Sequence, residues 1–430
     1  MIPGSSPSSS KPRVVILGGG FGGGFAAREL SKSADKFETI LIDRHNYLTF
    51  YPLMIEAGVG AIEPRHVVIP LRKLIRKCDL RVGEVTRVDL TTNTVFYRPV
   101  GQTMETSLAY DELVLSMGSV TRPPNVPGFA EYGFEMKTLT DAIELRDRGI
   151  QFLEMANSEP DPARRRELLT FLVVGGGFTG VELAGEFQAF LHDLLCDYHH
   201  VSEADIRVML FEHGPQLLPH YDDHLSDWTS KELTRRGIEI RHGESVVEIG
   251  EGFAVLSTGE RISTHGVYWT AGIAAPPVLD QIPGLPRNER GYVATNADLS
   301  VVGLPNVWAM GDLAFVPDSH GKPYPTTAQV AFRQGPHLAR NLIRRRTGQA
   351  TKPFSFENMG AFAAIGHRKA AALVKGLRFQ GFFGWLLYRG AYFTKFPGFA
   401  TRLRLLADWT LELLLKSPPV QIGVHRHRRT

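Results

Sequence analysis

Short apolar runs recur along this chain, and each ends in a polar or glycine-rich turn. Val14-Val15-Ile16-Leu17 and Phe171-Leu172-Val173-Val174 carry no polar interruption, the pattern of strands covered on both faces of a parallel sheet. Glycines follow each run at once, and then helix-like stretches, Phe25 to Leu30 and Val181 to Leu191. Two further apolar runs, Thr39-Ile40-Leu41-Ile42 and Val208-Met209-Leu210-Phe211, stop at Asp43 and Glu212. The order strand, turn, helix, strand predicts two βαβ units. Between them, Val82, Val85, Val88, Val95 and Tyr97 alternate with Arg, Glu, Asp and Thr over residues 80 to 98, which predicts an antiparallel meander. Leu113-Val114-Leu115 reads as a return strand and residues 121 to 128 as a linker. A helix around 139 to 155, strands around 238 to 249 and 253 to 256, and the apolar run Gly266 to Trp269 repeat the plan. Val307-Trp308-Ala309 then reads as the last strand of the first unit.

The turns carry the chemistry. Gly18-Gly19-Gly20-Phe21-Gly22-Gly23 and Gly175-Gly176-Gly177-Phe178-Thr179-Gly180 both fit G-x-G-x-x-G, 157 positions apart. Between a strand and a helix, such glycines allow a tight turn and bring backbone N–H groups onto a pyrophosphate. Two such loops imply two dinucleotides and electron transfer between them. Asp43 and Glu212 stand where an acid accepts from ribose hydroxyls and repels a 2′-phosphate. Glu212 therefore argues for NADH over NADPH, although Arg207 and His213 nearby would blunt that preference; the plain alternative is that both acids are solvated strand ends. The expected fold class is α/β, with two Rossmann-like dinucleotide-binding domains, the second inserted in the first, and an amphipathic C-terminal segment. The expected boundaries are an arm at 1–11, a first domain at 12–132 and 292–345, a second at 133–291 and a C-terminal region at 346–430.

Composition narrows the chemistry. At 430 residues, 43% hydrophobic and 22% charged, the chain has a globular balance. Its two cysteines, Cys78 and Cys196, lie far apart, which removes zinc ribbons, iron–sulfur clusters and a redox dithiol. No secretory signal is evident, residues 1 to 12 read as a disordered Ser/Pro/Gly-rich arm, and no apolar stretch reaches 18 residues. The net charge of +3 conceals an asymmetry: Gly366 to Thr430 holds 12 Lys and Arg against 2 Asp and Glu, so this segment carries +10 and the rest −7. A basic, apolar tail on an acidic body suggests an anionic surface and makes nucleic acid the weaker partner. From Phe379 to Lys416, Phe382, Phe383, Trp385, Leu386, Leu387 and Tyr388 precede a polar stripe of Arg404, Asp408, Glu412 and Lys416. This predicts an amphipathic helix lying in a membrane interface; a helix capping the core, or a dimer interface, is the alternative. His425-Arg426-His427-Arg428-Arg429 reads as a solvated tail.

Gly311-Asp312 ends the apolar run Val307 to Met310. A carboxylate at such a strand end can reach a polyol chain such as the ribityl of a flavin, or simply close a β-turn. Glu182, just past the second loop, either orients a nicotinamide or complements the helix dipole. Gln329 either meets a carbonyl of the electron acceptor or sits on a helix surface.

Together these residues resemble the two-dinucleotide-binding flavoproteins, and more narrowly the type II NADH:quinone oxidoreductases, over roughly residues 12 to 416. The resemblance rests on the glycine loops with Ile42-Asp43-Arg44, on His45-Asn46-Tyr47, Tyr51-Pro52-Leu53, Leu115-Ser116-Met117-Gly118-Ser119 and Val181-Glu182-Leu183-Ala184-Gly185-Glu186. It also rests on Met310-Gly311-Asp312, Thr327-Ala328-Gln329-Val330-Ala331 and the apolar C-terminal segment. It implies FAD on Gly18, Gly20, Gly23, Asp43 and Asp312, and NADH on Gly175, Gly177, Gly180 and Glu212. It sets Arg44, Gly118, Gly272 and Gly311 among the cofactor-binding residues, Glu182 near the nicotinamide and flavin, and Gln329 beside a quinone, with Arg333, Gln334 and Lys369 near the same pocket. Where the family often has a second glutamine, this chain has Arg333, followed by Gln334. The implied activity is non-proton-pumping NADH dehydrogenation with a membrane quinone as acceptor. The implied protein is a homodimer, peripheral on the cytoplasmic face of a bacterial inner membrane. A soluble ferredoxin-reductase-like enzyme leaves the C-terminal segment unexplained, a sulfide:quinone oxidoreductase needs paired cysteines, and a redox-sensing NADH-binding protein would show no turnover.

Overall fold

The uninterrupted apolar runs form the centres of two parallel sheets. In a computed structural model of the chain, residues 11–122, 124–219, 221–358, 360–415, 418–421 and 423 are described. Residues 1–10 of the expected arm, Lys416 of the polar stripe and the His425–Arg429 tail lie outside them. The described residues divide into two compact units, 11–49 with 68–120 and 274–357, and 50–67 with 121–273 and those from 358 onward.

In the first unit Val14 to Leu17 are fully buried. The strand Arg13–Leu17 pairs in parallel with Glu38–Asp43 on one side and Glu112–Leu115 on the other. Leu304–Ala309 joins in parallel beside Glu112–Leu115, so the chain does return to this sheet after the second unit. Asp79–Asp89 extends the other edge in parallel. The alternating segment forms the expected meander, with Thr94–Pro99 and Thr106–Ala109 antiparallel. The helix Ala328–Arg346 crosses Phe21–Leu30 at close range: a Cβ on Gly335 would overlap Gly22 O, and Phe25 meets Phe332 at 4.4 Å between ring centroids.

The second unit repeats the parallel plan with Gly133–Glu135, Gly266–Trp269, Thr170–Val174, Arg207–Glu212 and Glu239–His242. Its core centres on Phe171, which meets Phe187 edge-on at 5.0 Å, while Phe187 meets Tyr268 at 5.9 Å. Each such ring pair adds ~0.5–1.5 kcal/mol to the burial of its area. The expected strand 238–249 is two, Glu239–His242 and Val246–Gly250, and the second belongs to a separate antiparallel sheet with Phe253–Leu256 and Arg261–Ser263. Glycines permit the split, Gly243 lying at φ +72°.

The helices start earlier than their apolar pattern suggests, at Phe21 and Phe178, because the last motif glycine is already helical in each. The C-terminal stretch differs more. It is a strand, Leu377–Gln380, then two helices, Gly381–Lys395 and Phe399–Leu414, broken at Phe396-Pro397-Gly398 with Gly398 at φ +95°. Residues 346–430 do not form a region of their own: 346–357 pack in the first unit and the described residues from 358 onward in the second. No helix among the described residues is long and apolar enough to cross a membrane.

Candidate functional site

In the first unit, Gly18 sits at φ +96°, and a Cβ on Gly23 would overlap Gly18 O. The turn therefore requires glycine at both places. A Cβ on Gly20 would meet nothing within 4 Å, so the loop presents open space at the position whose N–H groups face a pyrophosphate. Ser116 Oγ clamps the turn from below, 2.8 Å from Leu17 O and 2.9 Å from Gly18 O. Asp43 is held rather than free in solvent: one carboxylate oxygen accepts the Gly19 amide at 2.6 Å and the other the His45 amide at 2.7 Å.

The second unit reproduces this arrangement atom for atom. Gly175 lies at φ +116°, a Cβ on Gly180 would overlap Gly175 O, and Gly177 faces open space. Thr270 stands where Ser116 stands, its Oγ1 2.9 Å from Val174 O and 3.2 Å from Gly175 O. Glu212 accepts the Gly176 amide with one oxygen and the Gly214 amide with the other, both at 2.7 Å. Arg207 does not soften this acid. It starts the strand that Glu212 ends, roughly 16 Å away at ~3.3 Å per residue, and is held bidentate by Glu239 at 2.6 and 2.8 Å. His213 is exposed. Both loops thus fit a dinucleotide, with cradles that any side chain would block and an acid fixed at each second strand. Ser116 and Thr270 had no signal in the sequence beyond their places at equivalent strand ends.

The Gly311 turn ends the strand Leu304–Ala309, with Gly311 at φ +74°. Its amide donates to Gln334 Oε1 at 2.7 Å, and Ser119 Oγ donates to Asp312 Oδ2 at 2.9 Å. Gln334 is only 2% exposed, so its carbonyl is committed to this turn. Gln329 lies half-buried in the first turn of Ala328–Arg346. Arg333 is exposed, its guanidinium 5.9 Å from the Phe356 ring centroid, and Arg44 is exposed as well. Gly118 and Gly272 lie in strand-end turns at φ +69° and +78°.

Glu182 and Glu186 stand one turn apart on the helix Phe178–Leu194. Between them Gly185 lets the backbone at Ile365 and Gly366 approach, since a Cβ there would overlap Ile365 O. This approach brings the Ala364 amide to 3.3 Å from Glu182 Oε1 and the Gly366 amide to 3.1 Å from Glu186 Oε1. Burial raises the Glu182 carboxyl well above its ordinary range, against the Ala364 amide, with Glu186 and Glu56 adding to the rise. Burial, and next the Glu56 charge, push Glu186 up to about 8. Lys369 belongs to the second unit and ion-pairs with Glu232 at 2.7 Å. Burial works to raise Glu232, but hydrogen bonds from Arg235, Lys369 and Arg236 hold it at about 2.

Comparison with known proteins sets these loops in a family. Residues 12–335 match the family model of the pyridine nucleotide-disulphide oxidoreductases. A type II NADH:quinone oxidoreductase of Mycobacterium tuberculosis is 32% identical, over 96% of this chain and 91% of its own. The chain belongs to the type II NADH:quinone oxidoreductases. A demethylphylloquinone reductase of Synechocystis is 30% identical over 96% of this chain and 100% of its own. NDH2 from Plasmodium falciparum, solved with NADH, superposes with a TM-score of 0.89 over 95% of this chain and 100% of that one, at 20% identity, and shares the fold. Beside the exposed Arg333, Gln334 is buried and presents no amide at the surface.

Proposed function

We propose that this type II NADH:quinone oxidoreductase passes two electrons from NADH to a membrane quinone through FAD, without pumping protons. The observation that carries the reading is the repeated cradle, with Gly18, Gly20, Gly23 and Asp43 in one unit and Gly175, Gly177, Gly180 and Glu212 in the other. The overall reaction, NADH + H⁺ + quinone → NAD⁺ + quinol, moves two electrons and takes one proton from solution.

Bound FAD would supply the hydride-accepting and two-electron chemistry. The chain supplies position and field. In the first unit the loop amides carry the pyrophosphate, Asp43 takes the ribose, and Asp312, fixed by Ser119 and by the Gln334–Gly311 bond, meets the ribityl hydroxyls. Arg44, Gly118 and Gly311 border the same cofactor, and Gly272 borders NADH. In the second unit Glu212, fixed by two backbone amides, favours NADH, because a 2′-phosphate would face its carboxylate. Glu182, its carboxyl raised by burial, orients the nicotinamide as a hydrogen-bonding group. Gln329 offers its amide to a quinone carbonyl, with exposed Arg333 at the rim.

A lipid-soluble acceptor requires contact with a membrane. The C-terminal helices expose Phe382, Phe383, Leu386, Phe399, Leu403 and Leu414, beside exposed Lys395 and Arg404. Apolar side chains flanked by cations suit an anionic interface, at ~1 kcal/mol for each nearby cation. The reading is therefore a peripheral membrane protein; its place on the cytoplasmic face of a bacterial inner membrane and its pairing as a homodimer are what the family resemblance implies. The deciding experiment is spectroscopic: NADH should bleach the bound flavin, and a quinone should restore its colour. Bleaching that only an iron–sulfur carrier reverses would overturn the assignment of the acceptor.

A further inference from the structure

Glu56 lies in the short helix Met54–Gly58, 3% exposed. Its Oε2 accepts the Trp409 indole N–H at 3.2 Å and stands 3.5 Å from Arg389 Nη2. The same Nη2 donates to Glu412 Oε2 at 2.9 Å. Arg389, 7% exposed, comes from the helix Gly381–Lys395, while Glu412 and Trp409 come from Phe399–Leu414. One guanidinium therefore ties both C-terminal helices to the helix Met54–Gly58. It is sandwiched by aromatic rings, 4.1 Å from the Trp385 centroid and 5.0 Å from that of Trp409.

Three buried atoms of this cluster, Glu56 Oε1, Arg389 Nε and Arg389 Nη1, have no hydrogen-bond partner among the described residues. A bare ionised oxygen inside a protein is costly, whereas a carboxylic O–H is much less so. The neighbours divide: the carboxyls of Glu412, Glu182 and Glu186 oppose ionisation of Glu56, while the Arg389 charge and the Tyr388 and Trp409 hydrogen bonds favour it, with Tyr392 also facing the cluster. Burial is the largest influence on Glu56 and raises its carboxyl, against Arg389.

We infer that the Glu56–Arg389–Glu412 triad is a proton-sensitive latch, which holds the two apolar helices against the helix Met54–Gly58 while Glu56 carries its proton and loosens when that proton leaves. The sign follows from linkage. Opening returns Glu56 to water and to the ordinary carboxylate range, so the closed form binds the proton more tightly. The latch is firmest at low pH and weakens as pH rises through the raised value. The consequence for membrane attachment rests on the reading of these helices given above; the latch itself does not.

Hydrogen exchange on the full-length, flavin-loaded protein without lipid, from pH 6 to 9, tests it. Protection of amides in 381–414 should fall as pH rises, by up to about tenfold per pH unit between the ordinary carboxylate range and the raised closed-form value, and should level off above that value, corrected for intrinsic exchange. The strand Thr170–Val174 serves as the internal reference and should not change. Glu56→Gln should abolish the slope. The same slope in that variant, or no slope in the unaltered protein, overturns the latch. Should Glu56→Gln fail to fold, Glu412→Gln serves instead: it removes a charge that opposes Glu56 ionisation in the closed form and should move the upper end of the slope to lower pH, and an unmoved end is equally fatal. Flotation on phosphatidylglycerol–phosphatidylethanolamine vesicles separates the two ideas. A pH-dependent opening without flotation at any pH would sink the membrane reading and leave the latch standing.

Discussion

Replacing Glu186 by Gln should make the protein more stable in alkali and change little in acid. Gln keeps the shape and an oxygen to accept the Gly366 amide, but it never ionises. The native carboxyl, raised by burial and then by the Glu56 charge, titrates at about 8 instead of 4.5. A group raised on folding contributes stability below its unfolded value and loses it as pH climbs through the folded one. At ~1.4 kcal/mol per pH unit the full displacement corresponds to roughly 5 kcal/mol. Partial exposure and the shared charges of Glu56 and Arg389 reduce this to about 2–4 kcal/mol at pH 9. For units of this size that is on the order of 5–10 °C in Tm. Differential scanning calorimetry at pH 5, 7 and 9 is the assay. The variant's curve should match the native one at pH 5 and diverge upward by pH 9. Parallel curves, or a variant less stable at pH 9, would refute the burial argument.

Three further outcomes follow from the site. Gly23→Ala, where the new Cβ would overlap Gly18 O, should yield little folded protein, whereas Gly20→Ala, whose Cβ meets open space, should fold and bind FAD weakly; circular dichroism and flavin content separate them, and equal yields of yellow protein would contradict the cradle. Glu212→Gln removes charge from two amide hydrogen bonds, so the kcat/KM preference for NADH over NADPH should shrink about 10–100-fold, and an unaltered ratio would free Glu212 of that role. Gln329→Ala should slow quinone reduction about tenfold while flavin reduction by NADH keeps its rate, a split that stopped flow reads directly; equal slowing of both half-reactions defeats it.

The parts of the site that follow chain order were legible. A strand, its glycine turn and the next strand's terminal acid are local, so the places of Asp43 and Glu212 beside their loops could be read from spacing alone. Ser116 and Thr270 could not, because a hydroxyl at a strand end looks the same whether it clamps a turn or faces water. The C-terminal stripe misled for a related reason. Asp408 and Glu412 keep a four-residue spacing that suits a solvated face, yet Asp408 meets His66 Nδ1 at 2.5 Å and Glu412 meets Arg389. Their partners come from other segments, and no local pattern points to them. Gln334 shows the converse: a surface-looking amide is buried because the turn at Gly311 needs an acceptor.

The separation of Glu56 from its cation also matters during synthesis. These two residues lie 333 positions apart, and a ribosome adding ~5–20 residues per second needs roughly 20–70 s to make the intervening chain. Throughout that interval Glu56 lacks Arg389, Trp409 and the cover of the last two helices, so it stays in contact with water. A translation product ending before the last two helices would carry that hydrated gap permanently. Proteolytic surveillance should clear such fragments faster than the finished polypeptide.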